Sequence, residues 1–374
     1  MSIKSIGLPS IRKNKYKSEK RAFMPSFVEM LKKYEVDVYL DEDYGSKMGY
    51  TFDDYKSLND KVKVASHRKV YEQDLVIILK APKIEELDLM NKNSILISML
   101  HYDSEPVLLE KIKENQIMSF SMDSVVDDFG DRLIVTYEQT ALGGVRIAIN
   151  EMEKRRKDFY SEKRNPYKIV IFGMGNLGIN AGKYCFKCLS KKINKQGNKE
   201  IQGAVINYLN SGSIKNKNEI RRLFATTDLL IDATKRIDFS KYIITNDLIG
   251  CLKEEAIILD LTADPYYENA NPVQVKAFEG LPYGTLDKYV FEIDDSKYDE
   301  IPKMVRTDFR RVTISCNGWP GVFPKESMKV YEKQLEPFLN ILLKSKHNIS
   351  EISSNPYERA LYKSTTEYFE KTKA

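Results

Sequence analysis

The sequence predicts an α/β fold: two doubly wound domains, each a parallel sheet with helices on both faces. Three observations carry this. Strand-sized apolar runs alternate with helical patterns along the chain. A second such series starts after Lys154–Pro166, a charged, proline-terminated stretch that reads as a linker. The length, 374 residues, suits about two domains of roughly 150 residues each.

In the first series, Ser5–Pro9 reads as a strand running into a basic loop. Phe23–Lys33 has helical periodicity, with Phe27, Met30 and Leu31 on one face. Val36–Leu40 is a strand, and Thr51–Leu58 and Ser66–Glu72 are helical. Leu75–Lys80 and Ser94–Leu100 are apolar strands ending at Lys80 and His101. Pro106–Glu114 is a helix and Gln116–Ser121 a strand. Thr140–Arg156 reads as one long helix.

In the second series the strand Lys168–Phe172 leads into Gly173-Met-Gly175-Asn176-Leu177-Gly178, then a helix from Asn176 to Leu189. Further elements follow at Ala204–Tyr208, Glu219–Phe224, Asp228–Asp232, Asn246–Cys251, Ala256–Asp260 and Val312–Ser315. The tail, Lys325–Lys344 and Asn355–Lys373, is helical and amphipathic.

Composition narrows the function classes. Apolar residues make up 42% and charged residues 30%, the balance of a soluble globular chain. No apolar run approaches the roughly 20 residues of a membrane helix. The N-terminus lacks the apolar core of a secretory signal. Four cysteines are too few to staple this chain, so a reducing, cytoplasmic compartment is expected. Cys185 and Cys188 form C-x-x-C inside a helix with no second pair at suitable spacing, and all four cysteines read as packing residues. Three histidines, His67, His101 and His347, argue against a histidine-based metal site. Net charge is +5 on 59 basic and 54 acidic residues, interleaved, which favours a solvated mixed surface over nucleic-acid binding. The expected partners are small molecules, with no nucleic acid and no membrane; a homo-oligomer is left open.

The G-x-G-x-x-G run is informative because it follows a β-branched strand and opens a helix. Gly173 allows a tight turn, Gly175 admits a pyrophosphate, and Gly178 lets the helix pack on the strand. The free N–H groups at the helix start then bind the phosphates. The competing reading is a plain turn with incidental glycines. An acid normally ends the next strand, on the adenosine ribose. Here the strand ends Asn207-Tyr208-Leu209-Asn210-Ser211, with Lys215 and Lys217 beyond. The cofactor is therefore NAD or NADP, with a lean to NADP.

Ligands of α/β sheets bind at the carboxyl ends of strands. Lys80, His101 and Asp264 stand at such ends. Each has a plainer reading: Lys80 snorkelling to solvent, His101 structural, Asp260 or Asp264 a turn cap. Arg21, in EKRAFMP, reads either as a surface charge or as a clamp for a carboxylate. As a set they suit proton transfer beside a hydride-carrying dinucleotide.

The order of these motifs resembles the group of alanine dehydrogenase, lysine-forming saccharopine dehydrogenase and carboxyethylornithine synthase. The same fold is found in the soluble part of transhydrogenase. GLPSIRKNKYKSEKRAFMP is similar to the group's opening, where the match gives Arg21 the substrate carboxylate. Ile78-Leu-Lys80-Ala-Pro82 and Met99-Leu-His101-Tyr resemble strands ending in a catalytic lysine and histidine. Asp260-Leu-Thr-Ala-Asp264 resembles the acidic segment beside the nicotinamide, with Asp264 as its functional aspartate. Pro320-Gly-Val-Phe-Pro324-Lys-Glu-Ser327 resembles the motif that lines the cofactor cleft. Trp319, the sole tryptophan, reads as covering the nicotinamide or as packing the hinge.

Asp127-Asp-Phe-Gly130-Asp-Arg132, Gly144-Val-Arg146 and DLTADPYYENANP look closer to saccharopine dehydrogenase. Asn317-Gly318 departs from the Asp-His of that type. The resemblance implies two Rossmann-like domains with an active-site cleft between them. Residues 1–139, completed by 325–374, would form the substrate domain, and 140–324 the dinucleotide domain. It also implies an NAD(P)-dependent oxidoreductase of amino-acid C–N bonds, with a slight lean to a secondary amine. Alanine dehydrogenase chemistry with ammonia and pyruvate, and a non-catalytic nucleotide sensor, are the alternatives. Lys80, His101 and Asp264 would be catalytic. Gly173, Gly175, Asn176, Leu177, Gly178, Asn207, Trp319 and Pro320 would bind the cofactor.

Overall fold

A computed structural model describes residues 3–12, 18–103, 105–197, 200–236, 238–344 and 349–373. His347 and part of the opening basic loop lie outside the described residues. The chain forms two compact units, Met1–Thr136 with Pro324–Ala374, and Tyr137–Phe323.

The first unit runs β1 (Ser5–Leu8), α1 (Pro25–Leu31), β2 (Asp37–Asp41), α2 (Phe52–Lys56), β3 (Val62–Ala65) and α3 (His67–Tyr71). It continues through β4 (Leu75–Lys80), α4 (Ile84–Leu87), β5 (Ile95–Met99), α5 (Pro106–Glu114) and β6 (Met118–Ser121). The sheet order is β3-β2-β1-β4-β5-β6, with every pairing parallel. Successive side chains of a strand face opposite sides. Leu75, Ile77 and Leu79 accordingly join a core with α1, while Val76 and Ile78 join a separate core with Leu108 and Ile112 of α5.

The second unit runs α6 (Tyr137–Arg155), β7 (Tyr167–Phe172), α7 (Asn176–Lys195), β8 (Ala204–Leu209), α8 (Lys217–Phe224) and β9 (Leu229–Asp232). Then come α9 (Asn246–Ile249), β10 (Ile257–Asp260), β11 (Val290–Phe291) and β12 (Val312–Ser315). The order is β11-β12-β10-β9-β7-β8, parallel except that β11 runs antiparallel to β12. Ile169 and Ile171 pack with α6 and α7, and Val170 and Phe172 with α8 and α9. The two faces again separate by strand alternation. Cys185 and Cys316 are buried in the first of these cores.

The tail returns to the first unit as α10 (Pro324–Lys344), α11 (Pro356–Lys363) and α12 (Thr366–Lys373). Met328, Tyr331, Leu335 and Leu339 of α10 pack into the core of α1. No side chain of its own caps the start of α1; Glu332 of α10 accepts a hydrogen bond from the Met24 amide at 2.6 Å instead. That contact buries Glu332, and burial pushes its carboxyl up to about 7.

One expectation needs correcting. The stretch 154–166 is no linker, because it lies inside the second unit. Phe159 is buried there, and the Arg164 guanidinium donates to the carbonyls of Phe159 at 3.0 Å and Asn165 at 3.0 Å. Its charges pair locally: Arg156 reaches Asp228 at 3.2 Å and Glu255 at 3.0 Å. Among the described residues no helix is long and apolar enough to cross a membrane.

Candidate functional site

In the first unit the chain leaves β1 toward β2 on one side, while β4 lies on the other. This reversal is where open α/β sheets place ligands. Lys80 ends β4, and its register partner on β5 is Met99. His101 follows Met99 by two residues, so Lys80 and His101 stand at neighbouring strand ends.

Arg21 is buried rather than a surface charge. Its Nε donates to Glu19 Oε1 at 2.8 Å and its Nη2 to Glu19 Oε2 at 2.6 Å. Burial would raise the Glu19 carboxyl, but the Arg21 charge and hydrogen bonds outweigh it. With a contribution from the Lys80 ammonium they hold Glu19 at about 2. Glu19 therefore ties Arg21 and Lys80 into one electrostatic group.

His101 has φ +49°, an uncommon conformation for a residue with a Cβ. Asp123, just past β6, stabilises it. The carboxylate lies 3.2 Å from His101 Nδ1 and accepts a bond from the Ser121 hydroxyl at 2.7 Å. Burial pushes Asp123 up, yet the His101 hydrogen bond and charge bring it down to about 2. A carboxylate on Nδ1 favours the tautomer in which Nε2 is the basic nitrogen.

Further along the same edge, His67 Nδ1 lies 2.8 Å from Asp41 and Nε2 lies 3.1 Å from Glu86. Burial opposes a charged ring, but the two carboxylates raise His67 to about 9. Asp41 also accepts the Ser10 amide at 2.7 Å, which anchors the start of the loop leading to Arg21.

In the second unit the reversal falls between β7 and β9, and the glycine run sits there. Gly173 has φ +108°, and a Cβ on it would lie 2.2 Å from the Ala233 carbonyl oxygen. A Cβ on Gly178 would lie 1.9 Å from the Gly173 oxygen. Around Gly175, which caps the 20-residue α7, a Cβ would meet nothing within 4 Å. Two glycines are thus required by backbone contact, and the middle one opens onto free space at a helix start. Asn176 is exposed there, and Leu177 is half-buried. These residues fit a dinucleotide pyrophosphate.

Asn207 is not at the strand end. It lies opposite Val170, and β8 continues to Leu209, whose carbonyl accepts the Gly173 amide at 2.9 Å. β8 runs one residue beyond the expected end at Tyr208, and Asn210 is the first residue past it. Its Oδ1 accepts the Ser213 amide at 3.1 Å.

Trp319 also differs from one of its two readings. It is 2% exposed, inside the core, and its indole N–H donates to the Asp260 carbonyl at 3.0 Å. It packs and offers no face to a nicotinamide. Pro320 is half-buried in the short turn Trp319–Val322.

Asp264 is part-exposed and paired with Arg236 at 2.6 Å. Behind it, register aligns Phe172, Asp232, Asp260 and Ser315 across β7, β9, β10 and β12. Asp260 is bound to Lys276 at 2.7 Å. Burial raises Asp260, but the Lys276 charge lowers it overall. Asp232 is raised by burial and by the Asp260 charge beside it.

Glu19, Asp123, Arg236, Asp232 and Lys276 are absent from the sequence-derived set. Asp123 carried a usable signal, a polar residue just beyond the strand Gln116–Ser121. Asp232 carried it too, as the last residue of the expected strand Asp228–Asp232; the others become visible only through burial and pairing.

The fold is that of a two-domain Rossmann-like dehydrogenase, with two sheets of mostly parallel strands. The chain aligns with a solved L-alanine dehydrogenase over 96% of its own length and 94% of that chain, at TM-score 0.71 and 20% identity. A transhydrogenase from Sinorhizobium meliloti aligns over 91% and 95%, at TM-score 0.62 and 12% identity.

Residues 10–140 match the family model of the alanine dehydrogenase/PNT N-terminal domain. An NAD(P) transhydrogenase subunit alpha of Haemophilus influenzae is 20% identical over 87% of this chain and 64% of its own length. Alanine dehydrogenase 1 of Staphylococcus aureus is 22% identical over 61% of this chain and 64% of its own. The chain thus spans 64% of the length of these curated relatives.

Proposed function

We propose that the protein is an NAD(P)-dependent oxidoreductase acting on the C–N bond of an amino acid. The observation that carries this reading is the pairing of β4 with β5, which sets Lys80 and His101 at adjacent strand ends. The Glu19–Arg21 pair beside Lys80 and the open turn at Gly175 support it.

Gly173, Gly175, Asn176, Leu177 and Gly178 would hold the dinucleotide, with Asn210 at its adenosine ribose. When bound, the cofactor supplies or accepts the hydride at the substrate carbon. Arg21, oriented by Glu19, holds the substrate carboxylate. In the reductive direction an amine adds to a 2-oxo acid to give a carbinolamine, which loses water to an imine. His101, with Nδ1 on Asp123, takes the proton from the attacking amine. Lys80 donates a proton to the departing hydroxyl. Asp264, held by Arg236, would orient the nicotinamide of the bound dinucleotide. The absence of an acid at Asn210, with Lys215 and Lys217 beyond, favours NADP.

Two substrate readings stand together. Saccharopine-like segments such as DLTADPYYENANP favour a secondary amine. Alanine dehydrogenase chemistry, with ammonia and pyruvate, fits the relatives equally well. A screen of NADH and NADPH oxidation separates them, crossing pyruvate, 2-oxoglutarate and glyoxylate with ammonia, lysine and ornithine. Turnover that needs an amino acid selects the secondary amine; turnover with ammonia selects the primary one. Failure to bind either dinucleotide would sink the oxidoreductase reading.

A further inference from the structure

Lys276 is one of the largest side chains buried to this degree, at 2% exposure. Its Nζ donates to Asp260 Oδ2 at 2.7 Å, with the rings of Tyr266 and Tyr283 at 6.0 and 5.5 Å. A buried ion pair is weak evidence of stability, because desolvation offsets the attraction. Its place in the fold suggests a different role.

Asp260 is a hub. Its Oδ1 accepts the Ala263 amide at 2.6 Å and the Thr262 hydroxyl at 3.0 Å. Its Oδ2 accepts Lys276 and the Ser315 hydroxyl at 2.9 Å. These bonds close a turn in which Ala263 has φ +50°, a left-handed conformation disfavoured by its Cβ. The turn delivers Asp264 to Arg236. Arg236 also donates to the carbonyl of Val275 at 2.7 Å, the residue just before Lys276. One short segment therefore braces both halves of the Asp264–Arg236 pair.

We propose that Lys276 is a positioning residue: acting through Asp260, it holds the turn Leu261–Asp264 and so sets where the Asp264 carboxylate stands. The proposal rests on the dinucleotide reading for its functional consequence. Three carboxylates, Asp232, Asp260 and Asp264, gather at these strand ends, and Lys276 and Arg236 face them. Without Lys276, Asp260 at pH 8 keeps a buried charge beside Asp232 with no counter-ion, and the repulsion drives its carboxylate out of the set that closes the turn. A proton on Asp260, or an amide in its place, removes that charge and leaves one oxygen to accept the Ala263 amide.

The test uses the full chain and two readouts. The first is amide exchange of residues 261–267 without cofactor, and the second is titration with NADH and NADPH. Lys276→Met should speed exchange in the turn about tenfold at pH 8 and weaken dinucleotide binding by about tenfold. Both effects should shrink toward pH 6 as Asp260 protonates. Adding Asp264→Asn to Lys276→Met should cost no further affinity beyond Asp264→Asn alone, as coupled residues require. Adding Asp260→Asn, which removes the unpaired charge, should restore much of the loss. That double variant also serves if Lys276→Met alone does not fold. A lower melting temperature with wild-type exchange in the turn and wild-type affinity would overturn the proposal. So would strictly additive losses with Asp264→Asn. If the wild-type protein binds neither dinucleotide, the functional reading fails, while the exchange measurement still decides the positioning role.

Discussion

Asp123 holds His101 at two points, with one oxygen 3.2 Å from ring Nδ1 and the other 3.3 Å from the backbone amide. One carboxylate thus orients the imidazole and steadies a backbone with positive φ. Asp123→Asn keeps the shape and removes the charge. The expected result is a loss of about 10- to 100-fold in kcat, within the range of acid–base catalysis. Unchanged kcat would remove Asp123 from the site.

Glu19 and Arg21 form an ion pair with both side chains 2% exposed. Arg21→Ala leaves a buried carboxylate without its partner, which should cost about 3–5 kcal/mol of stability at pH 7. Glu19 is held at about 2, below its ordinary 4.5. Its stabilisation is therefore complete above pH 4.5 and lost as pH falls through about 2. Denaturant titrations at pH 7 and pH 3.5 should show a smaller penalty for Arg21→Ala at the lower pH, where the unpaired Glu19 is protonated.

His67 gives the opposite sign. Asp41 and Glu86 raise it to about 9 from 6.5. Its contribution is complete below pH 6.5 and lost as pH rises through about 9. After allowance for solvent screening the change is on the order of 1 kcal/mol. Unfolding measured at pH 6 and pH 9.5 should show this difference in wild type and not in His67→Gln.

The glycines divide by mechanism. Gly173→Ala places a Cβ against the Ala233 carbonyl at positive φ and should cost about 1–3 kcal/mol from backbone strain alone. Gly175→Ala meets open space and should fold normally. It should weaken dinucleotide binding by about tenfold, as expected where a pyrophosphate needs close approach to the backbone. Melting curves and NAD(P)H titrations together separate the two.

Asn210 follows the last residue of β8, near where a ribose-binding acid is usual. Asn210→Asp should shift preference toward NADH over NADPH by about tenfold, since a carboxylate accepts from ribose hydroxyls and repels a phosphate. Dissociation constants for both dinucleotides check this.

Much of the fold was legible because its signals are local. Leu75–Lys80 reads as a strand from its apolar run, and α7 follows from the strand–glycine–helix order. The lengths of strands were harder. β8 carries one residue beyond the expected end at Tyr208, and Asn207 lies inside the strand opposite Val170 rather than past its end.

Sequence by itself determined the two α/β series, the strand ends at Lys80 and Asp260, and the glycine run that opens α7. Each depends on neighbours a few residues apart, through strand alternation, helical periodicity or turn geometry. Only the tertiary structure decided that Arg21 is buried against Glu19, that Asp123 holds His101 across 22 residues, that Trp319 packs in the core, and that Lys276 reaches Asp260. Those pairings depend on which strand ends stand side by side and on how far each is withdrawn from water. Both follow from sheet order and long-range packing, which no short window of residues contains.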